Sequence, residues 1–227
     1  MKPIRNLLEK LNLTPNNLAY YETAVTHPSV HGDEVAPSKD YERLEFMGDA
    51  VISFVVAELA YLLRPDLDQG KMTKMRAHLV QSKALSAHAL KLDLGSYIRV
   101  GASIRANQNQ FSMRLYEDVF EAFVGAIFID LGYDVVKQFL VEIFKDEVIN
   151  FNIDMLADYK SELQEAIQAE RRDSVSYVVV NESGPAHARI FSVECRYGNL
   201  VLGTGVGETK KEAEQMAAKE ALAKKAV

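Results

Sequence analysis

The chemistry of the chain is densest in Glu42-Arg43-Leu44-Glu45-Phe46-Met47-Gly48-Asp49, where three carboxylates recur at helical spacing. At 3.6 residues per turn Glu42, Glu45 and Asp49 share one face, and Glu45 and Asp49 are adjacent rungs. Like charges at that spacing repel, and a solvated face is the ordinary way to accommodate them. Here the flanks are apolar: Leu44, Phe46, Met47, Val51, Ile52, Phe54, Val55 and Val56. Carboxylates in a partly buried stretch want a cation or a proton. A second pair, Asp118 and Glu121, stands i, i+3 within the otherwise apolar Leu115–Ala126. Two buried helices that each present carboxylates inward make an oxygen-rich site suited to Mg²⁺. No His or Cys stands beside them at metal spacing, which argues against zinc. Mg²⁺ held by carboxylates, with positions left for water and substrate oxygens, is the equipment of phosphodiester hydrolysis.

Such a site needs a helical frame, and the spacing of apolar residues from Leu7 to Ile149 predicts one. Tyr41–Leu63 reads as one long, largely buried helix, stopped by Arg64-Pro65-Asp66. Lys71–Ala89 and Leu115–Leu131 read as further helices, with Gly95 and Gly132 as terminators or turns. The polar Gly101–Ser112, containing Asn107, Gln108, Asn109 and Gln110, reads as a loop. After Ile149 the texture changes. Asn150–Asp158 reads as a linker, and Tyr159–Arg171 as a helix with Asp158 as N-cap. Three strand-type segments follow, Ser174–Val180, Arg189–Arg196 and Leu200–Val206, separated by Glu182-Ser183-Gly184-Pro185 and Gly198-Asn199. The Ala-rich Thr209–Lys225 closes a compact α+β unit.

Composition bounds these readings. The 227 residues are 48% hydrophobic, enough for a core, and the length suits one large domain or two modest ones. With 26 Lys+Arg against 32 Asp+Glu the net charge is −6, distributed as −5 over residues 1–157 and −1 over 158–227. Neither part is basic, so a polyanion would have to be met by local clusters or through metal ions. The apolar stretch Ala50–Ala60 is interrupted by Ser53 and Glu58, so no membrane span is expected. Met1–Leu13 lacks the apolar core of a signal peptide. The single Cys195 forms no internal disulfide; it reads as a core residue, and the expected setting is a reducing cytoplasm.

The residues also carry a resemblance. Glu42–Val51 resembles the defining stretch of the ribonuclease III family, with Met47 and Ala50 where that family usually has Leu and Ser. Glu117–Ala126 resembles its second acidic motif, and Thr26-His27-Pro28-Ser29 its early Thr-His motif. The tail resembles a double-stranded RNA-binding domain in Lys160–Glu165, Gly184-Pro185-Ala186-His187, Gly203-Thr204-Gly205 and Thr209–Ala218. The order of the two modules is similar to that of bacterial ribonuclease III.

The resemblance implies an all-α endonuclease domain over 1–150, a linker over 151–157, and a small α+β (α-β-β-β-α) double-stranded RNA-binding domain over 158–227. It implies Glu45, Asp49, Asp118 and Glu121 as catalytic carboxylates that bind Mg²⁺, with Mn²⁺ able to substitute. Glu42 is then a supporting acid, and Phe46 packs into the partner subunit of a homodimer. The implied reaction cuts duplex RNA to 5′-phosphate and 3′-hydroxyl ends with short 3′ overhangs, processing ribosomal and messenger precursors. Duplex RNA is met by shape across its minor groove, which gives Ser161, Gln164 and Glu165 of the first tail helix and His187 of the loop as contacts. Lys210 and Lys211, at a helix N-terminus, suit phosphate. His27, His31, His78 and His88 read as structural or surface residues. Gln69 stands where the family usually has Glu, the one feature favouring a duplex-binding protein with a weakened nuclease. A phosphohydrolase acting on small molecules would leave the tail unexplained.

Overall fold

The computed structural model describes residues 2–31, 39–102, 104, 111–153, 158–168, 174–185 and 189–225. They form two compact units, Met1–Ile153 and Asp154–Val227.

Helices build the first unit: α1 (Arg5–Lys10), α2 (Leu18–Ala24), α3 (Glu42–Leu63), α4 (Gln69–Leu79), α5 (Ser82–Lys91), α6 (Met113–Leu131) and α7 (Tyr133–Ile149). The described residues add a single parallel bridge, between Thr26 and Arg99. At the centre α6 is buried nearly all round, with Val119, Phe120, Ala122, Phe123, Val124, Ala126 and Ile127 fully enclosed. Helix α3 crosses it at two glycines. A Cβ on Gly48 would lie 1.8 Å from the Glu121 carbonyl oxygen, and one on Gly125 would lie 2.1 Å from that of Leu44. Only residues without side chains let the two backbones touch there. Gly132, at φ +84°, ends α6 and turns the chain into α7.

Several boundaries differ from the sequence reading. Lys71–Ala89 is two helices, because Gln81 adopts an extended backbone (ψ 154°) between α4 and α5; the break lets Leu79 and Leu85 both reach the core. Tyr41 is the N-cap of α3 and lies outside the helix. The first unit runs on through Ile153. Arg64 fixes this end by donating to the carbonyls of Val148 (3.2 Å) and Phe151 (2.9 Å). Residues 154–157 of the expected linker, and 103 and 105–110 of the expected loop, lie outside the described residues. Contrary to the reading of Ala50–Ala60, α3 is long and apolar enough, by length and composition, to cross a membrane. In this fold it is instead the partner of α6, and its Glu58 accepts from Lys137 and Tyr133, both at 2.7 Å.

The second unit runs α8 (Tyr159–Gln168), β1 (Ser176–Ser183), β2 (Ile190–Tyr197), β3 (Leu200–Gly207) and α9 (Lys210–Lys225). The strands form an antiparallel sheet in the order β1-β2-β3. Its core joins Leu163 and Ile167 of α8 to Val193 and Cys195 of β2 and to Ala213, Ala217, Ala218 and Ala221 of α9. Alanines facing glycines let α9 lie directly on β3: a Cβ on Gly205 would meet the Ala213 carbonyl oxygen at 2.2 Å. Strand β1 extends to Ser183, past the expected Val180, while residues 169–171 of the expected first helix lie outside the described residues. An all-helical unit followed by α-β-β-β-α is the fold class read from the sequence.

Candidate active site and nucleic-acid interface

The crossing of α3 and α6 decides where the acids go. With the backbones in contact at Gly48 and Gly125, side chains one turn away on each helix converge. Glu42, Glu45 and Asp49 from α3 and Asp118 and Glu121 from α6 line a single cavity of about 610 Å³. His27, Tyr41, Phe46, Ser112, Arg114 and Leu115 complete its wall. The four carboxylates singled out in the sequence, and the supporting Glu42, are therefore neighbours.

Their electrostatics follow from that crowding. Glu121 is 8% exposed. Burial first, then the charges of Asp49, Glu117, Glu45 and Asp118, push its carboxyl up to about 8. Glu45 is pushed up to about 7 by burial, Asp118 and Glu42, with Arg114 acting in the opposite sense. Acids so placed hold either protons or a cation at neutral pH. The donors are carboxylate oxygens, which fit a hard divalent cation such as Mg²⁺. Among the described residues no three His, Cys, Asp or Glu side chains stand close enough together to hold an ion as they are.

Two residues of the wall escaped the sequence reading. The Tyr41 hydroxyl donates to Asp118 Oδ2 at 3.0 Å, and burial together with Asp118 keeps this phenol well above the ordinary tyrosine range. Arg114 is the one basic side chain in the described lining, a full turn before Asp118. Tyr41 immediately precedes the acidic stretch, which was its only signal; nothing marked Arg114. His27 lines the cavity, and its Nδ1 also accepts from the Ser29 N–H at 3.0 Å. Burial lowers its pKa in spite of Asp118, Asp40 and Glu42. The other described histidines have structural partners. His31 meets the Lys39 carbonyl at 3.0 Å, His78 stacks edge-on with Phe151, and His88 sits between Phe120 and Phe144 beside Glu147. Gln69 opens α4 and is exposed, outside the cavity lining. Phe46 is 77% exposed at the cavity rim.

In the second unit Ser161, Gln164 and Glu165 share the outer surface of α8, where with Lys160, Val175 and Tyr177 they line a depression of about 470 Å³. Ser161 donates to Asp158 at 2.7 Å, and Gln164 accepts from the Val175 N–H at 3.2 Å. The Gln164 Nε2 is buried and has no hydrogen-bond partner among the described residues. Lys160 is paired with Glu214 at 2.6 Å over the face of Tyr177, so its charge is largely spent internally. Lys210 and Lys211 are exposed in the first turn of α9, and neither enters an ion pair among the described residues. The first-turn donors are partly used: Thr209 Oγ1 accepts from the Glu212 N–H at 3.1 Å, and Glu212 accepts from the Glu208 N–H at 2.9 Å. His187 lies outside the described residues.

A ribonuclease-III-like family model matches residues 17–147, the helical unit that carries the acidic cavity. The chain belongs to the ribonuclease III family. A double-stranded RNA binding motif matches residues 159–225. The chain is 39% identical to ribonuclease 3 of Aster yellows witches'-broom phytoplasma, over 99% of this chain and 92% of that one. It is also 39% identical to ribonuclease 3 of Latilactobacillus sakei, over 96% of each. Among solved structures it is similar to the nuclease domain of ribonuclease III from Campylobacter jejuni (TM-score 0.57, 29% identity), over 66% of this chain and 99% of that one. That structure is described for flexibility in a region involved in dimer formation. The chain is accordingly an endoribonuclease that joins a nuclease unit to a double-stranded RNA-binding unit.

Proposed function

We propose that this endoribonuclease is a cytoplasmic, Mg²⁺-dependent homodimer that cuts duplex RNA to 5′-phosphate and 3′-hydroxyl ends with short 3′ overhangs, in the processing of ribosomal and messenger precursors. The observation that carries the reading is the shared cavity of Glu45, Asp49, Asp118 and Glu121, two of whose acids are held so far above their ordinary range that a cation is the natural replacement for their protons. These four residues would hold Mg²⁺ (or Mn²⁺), with Glu42 at the rim adding negative potential. When bound, the cation supplies Lewis-acid activation of water and neutralises charge on the phosphate and the leaving 3′-oxygen. The cavity is open to solvent on the side of the exposed Glu42 and Asp49, which leaves a path for a phosphodiester. Duplex binding falls to the second unit, where the exposed Ser161 and Glu165 offer polar groups to a minor groove, Gln164 beside them would have to turn its amide outward, and Lys210 and Lys211 offer charge to phosphates. Homodimerisation is supported by the apolar outer face of α3, where Phe46, Phe54, Tyr61 and Leu62 are all exposed. The lone thiol suits a reducing compartment.

Glu121→Gln tests the assignment. The amide keeps the shape but removes a charged ligand, so cleavage of a long duplex RNA in Mg²⁺ should vanish while duplex binding in metal-free buffer is unchanged. Undiminished cleavage by the variant, or full cleavage by the native protein in excess chelator, would overturn the reading.

A further inference from the structure

Asp118 differs from its partner acids in being held already. Glu45, Asp49 and Glu121 accept no hydrogen bond among the described residues, whereas Asp118 Oδ2 accepts from the Tyr41 hydroxyl at 3.0 Å, across 77 residues of sequence. Tyr41 is itself anchored. Its side chain is buried, its N–H donates to the Thr26 carbonyl at 3.0 Å, and its ring meets His27 edge-on at 5.7 Å. The segment behind it is tied down in turn, since the His27 N–H donates to the Arg99 carbonyl at 2.9 Å and the Arg99 N–H to that of Val25 at 2.7 Å. The phenol therefore reaches Asp118 from a rigid mount.

We propose that Tyr41 is a positioning residue for the divalent cation: its hydroxyl fixes the Asp118 carboxylate on the cavity wall before the ion arrives. The inference rests on the Mg²⁺ reading above. A phenol donates one hydrogen bond and occupies one lone pair of Oδ2, leaving Oδ1 and the second lone pair of Oδ2 for a cation. A carboxylate whose rotamer is already set loses less conformational freedom on coordination than one that swings freely.

Tyr41→Phe keeps the ring and removes only the donor. Binding of Mn²⁺ to the full-length, RNA-free protein is measured by calorimetry, and cleavage of duplex RNA is followed against Mg²⁺ concentration. Failure of the native protein to bind Mn²⁺ would sink the metal reading itself. Given native binding, the variant should need about tenfold more of either metal, the low end of what a hydrogen bond to a charged group contributes. Its kcat at saturating Mg²⁺ should stay within about twofold of native. Superimposed isotherms would overturn the proposal, as would a fall in kcat with no shift in metal requirement. Tyr21→Phe is the control for general loosening: it removes another buried phenol hydroxyl, bonded to Asp130 at 3.1 Å and outside the cavity. Its isotherm should match the native one; a shift as large as that of Tyr41→Phe would assign Tyr41 to holding the fold and overturn the proposal.

Discussion

Glu121 shows what a single side chain exposes itself to when it is placed for a cation. In the metal-free protein it is buried, accepts no hydrogen bond among the described residues, and has its carboxyl raised from 4.5 to about 8. Between those values the folded chain keeps a proton that the unfolded chain has released, so stability falls as pH rises across this window. Glu45, raised to about 7, acts in the same sense. Half-buried His27 and buried His88, with lowered values, act oppositely below about 6.5, so the informative quantity is a difference between proteins. The melting temperature of the native chain in chelator, minus that of Glu121→Gln, should decline from pH 5.5 to pH 8.5. Adding Mg²⁺ should raise the native melting temperature more at the upper pH than at the lower. A difference that climbs with pH would show that Glu121 is not protonated in the folded state.

At the scale of elements, the contact of α3 with α6 sets both the core and the cavity. Gly125→Ala would drive a methyl group to 2.1 Å from the Leu44 carbonyl oxygen, a backbone atom with nowhere to go. Forcing the helices apart should cost about 1–3 kcal/mol, read as a lowered denaturation midpoint. Turnover of the folded fraction should fall at least tenfold, roughly 1.4 kcal/mol in barrier or more; native values of both would show that the crossing tolerates a side chain. The division between what could and could not be read from the chain falls along this contact. Glu42, Glu45 and Asp49, and the pair Asp118 and Glu121, were legible because helical spacing is a local property. Strand type and turn residues made the three strands of the second unit legible for the same reason. The meeting of Gly48 with the Glu121 carbonyl was not, nor was that of Tyr41 with Asp118, since neither partner carries a periodic trace of the other. The break at Gln81 was hidden because apolar spacing continues through it while the backbone turns extended at that one residue.

For the whole molecule, the outer face of α3 is the feature that a lone subunit does not explain. Phe46 is 77% exposed, and Phe54, Tyr61 and Leu62 lie bare along the same helix. If two copies close over this face, Phe46→Asp puts an unpaired charge into an apolar contact, at a cost of several kcal/mol by the desolvation scale of about 2–7 kcal/mol for unpaired polar groups. Because the side chain is exposed in the isolated subunit, the variant should remain folded and sediment as a monomer. A folded Phe46→Asp dimer at micromolar concentration would place the interface elsewhere. The net charge of −6 also acquires a location at this scale: five acids gather in the cavity of the first unit, while the tail is nearly neutral and exposes Lys210, over the Phe191 ring, and Lys211 in the first turn of α9.

Cys195, fully buried on β2 in the core of the second unit, is the sole sulfhydryl of the chain, and burial raises its pKa. An alkylating reagent can reach it only when that small core opens. The chain thus carries an intrinsic clock for one of its two parts. The rate at which a neutral maleimide is consumed counts openings of the helix–sheet–helix unit. Duplex RNA that clasps the closed form should slow the clock in proportion to its occupancy.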